Sequence, residues 1–215
     1  MNILFCGNLD VKNNIAAFYT LSFFKNALEE NSHRVFILGS GDKKEINIKK
    51  LSRSKSIFLY RPPNFNKYFS RTYQIIQHDK NKLKEKLPNI ILEKKIQLII
   101  VYSTFYPILE EAFEISNKFD IKCISYGGEY FSINLKNLIN TTNIYQFLAK
   151  RLSYRKLDGH ICSTFFHQKT LKKNNLKTIV IPTLAPELNI QSKKIRTNSK
   201  LFNLVWMGKP NQREY

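Results

Sequence analysis

The chain is short of the residues that most often announce a metal or redox centre. Its three cysteines, Cys6, Cys123 and Cys162, each lie inside an apolar segment, and none is paired at metal or redox spacing. They read as small buried hydrophobes, which sets aside a thiolate metal site and a disulfide framework. His78, His160 and His167 share no ligand spacing with acidic residues or with one another, so no metal is expected. Glycine is scarce too, at seven residues. Gly7 is not followed by the glycine spacing of a dinucleotide-binding turn, which argues against a nicotinamide-dependent dehydrogenase. No stretch approaches the roughly 20 apolar residues of a membrane span. The start, Met1-Asn-Ile-Leu-Phe-Cys6, has neither a basic leader nor a small-residue cleavage site, so a cytoplasmic protein without a signal peptide is expected.

Negative charge is the next shortage. Sixteen acidic residues face 35 basic ones, for a net charge of +19. The excess is concentrated in residues 43–95 and 135–215, whereas residues 1–42 and 96–134 are weakly acidic. Such a field attracts phosphates, anionic headgroups or nucleic acid. No DNA or RNA motif accompanies it, and the basic residues are not interleaved with aromatics on a platform, so nucleic acid is not an expected partner. Phe147 to Lys156 has apolar residues at helical spacing flanked by Lys150, Arg151, Arg155 and Lys156. It reads either as a helix lying on the anionic inner face of a membrane or as a core-facing helix with a solvated basic side.

What is present is an alternation of apolar runs and amphipathic stretches. Ile3 to Gly7 reads as a buried strand ended by a turn, Ala16 to Glu30 as a helix, and Val35 to Leu38 as a second strand closed by Gly39-Ser-Gly41. Gln97 to Tyr102, Ile121 to Tyr126, Leu157 to Ser163 and Lys177 to Ile181 read as further strands, and Pro107 to Lys118 as a helix with proline in its first turn. A basic helical stretch from about Tyr68 to Glu93 is expected to be bent or divided at Pro88. Another helical stretch is expected around Ile144 to Lys156. Strands that are continuous apolar runs are covered on both faces. The expected fold class is therefore α/β: a doubly wound, mostly parallel, Rossmann-like sheet with helices on both faces. Residues 189–200 are polar and without period, a linker. Leu201 to Met207 is a short apolar run broken by Gly208, with Lys209 and Arg213 after it, an orphan C-terminal strand leading into a basic loop.

Four segments together resemble the N-terminal half of a family 4 type glycosyltransferase of the two-domain GT-B architecture. They are Asn2-Ile-Leu-Phe-Cys-Gly-Asn8; Leu28-Glu-Glu-Asn-Ser-His-Arg-Val-Phe-Ile-Leu38; Leu157-Asp-Gly-His-Ile-Cys-Ser163 with Lys177-Thr-Ile-Val-Ile-Pro-Thr183; and Leu204-Val-Trp-Met-Gly-Lys-Pro-Asn-Gln-Arg-Glu214. The resemblance implies a Rossmann-like acceptor-binding domain over residues 1–188, a linker over 189–200, and the first strand and loop of an incomplete donor domain over 201–215. It implies a retaining enzyme that uses a nucleotide-sugar as substrate, without a further cofactor, to build a glycan, polysaccharide or glycolipid on a glycan or lipid-linked acceptor. The family's spaced pair of donor-domain glutamates has no counterpart here, so no catalytic residue is assigned and the chain alone is expected to be inactive. The alternative is a stand-alone acceptor-binding or scaffold module completed by a partner chain with the donor domain. There are departures as well: the first loop, Asp10-Val-Lys-Asn-Asn14, lacks the family's glycine pair, and its Gly-His at the helix end is here Ser32-His33.

Candidate site residues follow. Gly7 and Asn8 end the first strand at its carboxyl edge, where open α/β sheets bind ligands; they offer backbone amides to an acceptor or phosphate, or form a simple tight turn. Gly127, Gly128 and Glu129 leave another strand at the same edge, with the glycines allowing close backbone approach and Glu129 orienting an acceptor hydroxyl or capping a helix. By resemblance, Gly208, Lys209 and Arg213 contact the donor diphosphate, where cations offset charge on the leaving group. His33, at a helix–strand joint, reads as structural.

Overall fold

Short runs of β-branched, leucine and aromatic residues alternate with longer amphipathic ones, and each becomes the element its period dictates. The computed structural model describes residues 1–7, 15–41, 56–61, 64, 71–103, 106–127, 155–172 and 176–181. Its contacts divide the chain into Met1–Ala185 and Pro186–Tyr215, and every described residue belongs to the first unit. In chain order the elements are β1 (Asn2–Gly7), α1 (Ile15–Glu30), β2 (Arg34–Ser40), β3 (Ile57–Tyr60), α2 (Arg71–Lys94), β4 (Leu98–Tyr102), α3 (Tyr106–Lys118), β5 (Lys122–Gly127), β6 (Gly159–Cys162), α4 (Phe165–Lys172) and β7 (Thr178–Val180).

The seven strands form one sheet in the order β3-β2-β1-β4-β5-β6-β7, and every neighbouring pair is parallel. The chain winds outward from β1 to β3, then returns through α2 to β4 on the other side of β1 and winds outward again. The fold is thus α/β and doubly wound, with the reversal between β1 and β4. Strand residues alternate between two buried layers. Ile3, Phe5, Val35, Ile37, Ile100, Tyr126 and Ile161 pack with Leu21 and Phe24 of α1. Leu4, Cys6, Leu38, Ile99, Val101, Cys123 and Cys162 pack with Leu83 and Leu87 of α2, Ile108 and Leu109 of α3 and Leu171 of α4. Both faces are covered, which is why these strands are apolar at consecutive positions rather than at alternate ones.

Pro88 does not divide α2, which runs unbroken from Arg71 to Lys94. A proline inside a helix costs about 3 kcal/mol. Here it is flanked by Leu83, Leu87, Ile90 and Ile91, all buried in the second layer, and burying each such side chain contributes about 1.5–3 kcal/mol. Packing therefore outweighs the local penalty. Two elements were not foreseen. β3 is only four residues long and sits in a lysine-rich stretch, and α4 is a short helix opened by Thr164, whose Oγ1 accepts from the His167 N–H at 3.1 Å. The helix expected around Ile144 to Lys156 falls almost wholly outside the described residues.

At the amino edge of the sheet, three helices leave by the same device. His33 N–H donates to Leu28 O at 3.0 Å, Ile96 N–H to Ile91 O at 3.1 Å and Ile121 N–H to Ser116 O at 2.9 Å. The residue before each donor is left-handed: Ser32 at φ 63°, Lys95 at 50° and Asp120 at 53°. These are Schellman closures, usually given to glycine.

Candidate functional site

A doubly wound sheet opens a crevice at the carboxyl edge where the winding reverses, because the two adjoining connections depart in opposite directions. Here that point lies between the ends of β1 and β4. Gly7 ends β1 and pairs with Tyr102, the last residue of β4, and Tyr102 pairs with Tyr126 near the end of β5. Gly127 closes β5 opposite Cys162 of β6. Two of the glycines expected at the acceptor side, Gly7 and Gly127, therefore share one edge, separated by β4, or about 10 Å at the usual strand spacing. Asn8, Gly128 and Glu129, and Gly208, Lys209 and Arg213, lie outside the described residues.

Gly7 is fixed as glycine by two independent constraints. Its φ is +124°, and a Cβ built there would stand 2.3 Å from the Tyr102 carbonyl oxygen. The β1 end thus lies against the β4 backbone with no side chain interposed, a geometry that loop conformation alone would not require.

On the α1 side of the sheet, aromatic rings fill the space beside Gly7. The rings of Tyr102 and Tyr126 are 5.3 Å apart at 42°, and Phe24 of α1 meets Tyr126 edge-on at 5.2 Å. Phe5 continues the stack to Phe24 at 6.0 Å. Tyr126 is 4% exposed, while Tyr102 is only half-buried. Burial first, and then the neighbouring Tyr102, push the Tyr126 phenol above its ordinary value, so it is neutral at physiological pH. Sequence reading did not single out these tyrosines. A signal existed, since β3, β4 and β5 each carry a tyrosine at or next to the carboxyl end: Tyr60, Tyr102 and Tyr126.

On the opposite side of the sheet, Ser125 Oγ and His160 Nδ1 share a hydrogen bond of 2.7 Å between two buried side chains. The bond joins β5 to β6 directly beneath the edge; burial makes it a clamp rather than a nucleophile–base pair. The cysteines are equally removed from chemistry. Burial, with a smaller contribution from Cys123, pushes the Cys6 thiol far up; burial brings Cys123 to about 12 and Cys162 to about 11. Thiolates do not form at such values near neutral pH. His33 Nδ1 accepts from the N-terminal ammonium at 3.2 Å, at the edge away from the crevice.

The basic surface is less open than composition implies. On α2, Lys80 pairs with Glu111 at 3.6 Å, Lys82 and Lys86 both with Glu85, and Lys94 with Glu93. Lys156 turns toward α3, with Glu110 at 3.8 Å and the Phe113 ring at 6.0 Å. Among the described residues, no group of three or more His, Cys, Asp or Glu is arranged to hold a metal ion, and no helix is long and apolar enough to cross a membrane. An open depression of about 330 Å³ between β3 and α2, lined by Phe58, Leu59, Lys86, Asn89 and Glu93 among others, lies at the sheet's outer edge and away from the reversal point.

No family model and no curated protein sequence matches the chain. Solved structures do match. The UDP-GlcNAc 2-epimerase of Methanocaldococcus jannaschii superposes with a TM-score of 0.58 at 12% identity, over 84% of this chain and 45% of that one. Arabidopsis thaliana UGT89C1 complexed with UDP-L-rhamnose gives 0.57 at 12%, over 87% and 53%. Anabaena HepE in complex with UDP and glucose gives 0.56 at 15%, over 85% and 44%. The chain thus spans about half the length of each of these structures. At such identities the likeness shows the fold alone, a Rossmann-like α/β sheet shared with part of each of these structures.

Proposed function

We propose that the chain is the acceptor-side half of a nucleotide-sugar-dependent glycosyltransferase. The observation that carries this reading is the conjunction of the shared half-fold with a shaped carboxyl edge at the winding reversal, where Gly7 has no room for a side chain. Two of the three likenesses described are to proteins bound to UDP or a UDP-sugar. In this reading residues 1–188 bind the acceptor, residues 189–200 link, and residues 201–215 begin the donor side, with Gly208, Lys209 and Arg213 meeting the diphosphate. Asn8, Gly127, Gly128 and Glu129 complete the acceptor edge. A base for an inverting displacement is not assigned, and retention of configuration is the form of transfer proposed. The acceptor is a glycan or lipid-linked glycan, presented in the cytoplasm or at the inner face of a membrane. The donor domain is supplied in the same polypeptide or by a partner chain, the latter being the stand-alone module reading.

The test is transfer of radiolabelled sugar from UDP-sugars to a glycan panel by the 215-residue chain, with and without a separately expressed donor domain. Transfer only in the reconstituted mixture is expected. Full activity of the chain alone would sink the division of labour proposed here. Isomerised UDP-sugar in place of a transferred product would move the protein to the epimerases, whose fold it shares equally well.

A further inference from the structure

The geometry points to Tyr102 and Tyr126 as the wall that selects a neutral sugar ring in the acceptor site. This rests on the acceptor-side reading above and goes further, to which residues choose the acceptor and what kind of ring they accept.

Three features of the edge lead there. First, register places Gly7, Tyr102 and Tyr126 side by side on adjoining strands. Gly7 contributes no side chain and admits none, so among the described residues β1 sets only backbone beside Tyr102. A flat floor beside a ring wall fits a flat ligand. Second, the two rings differ in freedom. Tyr126 is buried and held edge-on by Phe24, itself buried on α1. Tyr102 is packed against this immobile ring at 5.3 Å yet is only half-buried. The wall is therefore set before a ligand arrives, which lowers the ordering cost of binding. Third, the wall itself is two phenols: the hydrophobic cluster behind it is Ile, Leu, Val, Phe and Tyr, and burial first, then the neighbouring Tyr102, hold the Tyr126 phenol above its ordinary value and so un-ionised.

A pyranose offers an apolar C–H face and a rim of hydroxyls. The half-buried Tyr102 phenol matches both, with a ring face for the first and a hydroxyl that donates or accepts for the second, while the buried Tyr126 backs it. An anionic sugar finds no cation among the described residues of the wall and loses its hydration on contact with the rings. Lys25 of α1 is already paired with Glu29.

The experiment is saturation-transfer NMR on the 215-residue chain with methyl glycosides of glucose, galactose and N-acetylglucosamine, set against methyl glucuronide and methyl N-acetylneuraminide. Tyr102→Phe and Tyr102→Ala are compared with the parent after thermal melts establish that each is folded. The expected result is saturation of ring C–H protons for one or more neutral glycosides. Affinity should fall about tenfold or more in Tyr102→Ala and stay within about threefold in Tyr102→Phe, as a ring-face contact requires. Neutral binding unchanged in Tyr102→Ala, or preference for the anionic glycosides, would overturn the wall while leaving the acceptor-side reading standing. Absence of binding to every glycoside by the parent chain would overturn the acceptor-side reading and the wall with it.

Discussion

The two edges of the sheet are built on opposite plans. At the amino edge, polar groups are stitched together. Asn2 Nδ2 donates to the Lys94 and Lys95 carbonyls at 2.6 and 3.2 Å, Gln97 returns a backbone bond to Asn2 O at 2.9 Å, and Arg34 N–H reaches Met1 O at 2.9 Å. Asp158 accepts from the Cys123 N–H at 2.9 Å and pairs with Lys122 at 3.0 Å. At the helix exits the left-handed positions are given to Ser32, Lys95 and Asp120, none of them glycine. Most of the described glycines lie at the carboxyl edge: Gly7, Gly39 and Gly127 near the ends of β1, β2 and β5, and Gly41 just past β2, with Gly159 alone among them opening a strand, β6, at the amino edge. Glycine stands at Gly7, where backbone comes close, while the helix exits accept left-handed strain where only closure is needed. That division separates an edge stitched by polar groups from an edge where β1 and β4 backbones meet at Gly7.

The contrast is broken most directly at Gly7. Gly7→Ala sets a methyl group 2.3 Å from the Tyr102 carbonyl at φ +124°. Overpacking and backbone strain each cost about 1–3 kcal/mol, so a loss of about 3 kcal/mol or more is expected in urea unfolding. At the other edge, Asn2→Ala removes two bonds to the carbonyls that end α2. A loss of about 1–2 kcal/mol is expected, read in the same titration, with the glycosides of the binding assay still recognised. A greater loss from Asn2→Ala than from Gly7→Ala would contradict the assignment of close packing to the carboxyl edge.

How much of this was legible beforehand depends on whether the cause is local. β1, α1, β2, β4, α3 and β5 announced themselves because each is a run whose period is its own and whose end is marked by glycine, proline or a polar break. β3 did not, since Ile57 to Tyr60 is four residues between basic stretches and is a strand only because β2 lies beside it. Pro88 was weighed as a local breaker, and the burial that overrules it comes from α3 and the sheet. Gly7 and Gly127 were found because a glycine ending an apolar run is visible in one dimension. The neighbours of Gly7 were not: Tyr102 meets it by register, and Ser125 finds His160 across 35 residues. The winding reversal that singles out β1 and β4 exists only once strand order is known.

Asp158 sharpens the comparison through pH. Burial works against its ionisation, but the Cys123 N–H and the Lys122 ammonium outweigh it and hold the carboxyl below its ordinary value of 3.8. A lowered folded value contributes stability that is complete above the unfolded value and disappears as pH falls through the folded one. Asp158→Asn keeps an acceptor for Cys123 and loses the charge. With the side chain 35% exposed, solvent screens the ion pair, so a cost of about 1 kcal/mol is expected near pH 7. The difference from the parent should close as pH falls below 3.8 and through the folded value. A constant difference from pH 7 to pH 2 would show that the latch acts by shape and not by charge.

The smallest expected effect has the opposite sign, and it tests the economy of glycine itself. A left-handed residue with a side chain costs about 1–2 kcal/mol. Glycine relieves that cost but restores about 0.4–1 kcal/mol of unfolded-chain freedom. Lys95→Gly should therefore stabilise by roughly 0.5 kcal/mol, with Ser32→Gly close behind and Asp120→Gly least, because aspartate tolerates this region best. Thermal unfolding of the three variants reads the order. All three closures keep their backbone bonds, so the gain reports strain alone. Glycine would then help at these three helix exits, where it is absent, while removing it harms at the end of β1, where it is used. A loss of stability in Lys95→Gly would mean that its side chain contributes more than its backbone costs, and that the amino edge is held by more than the hydrogen bonds described.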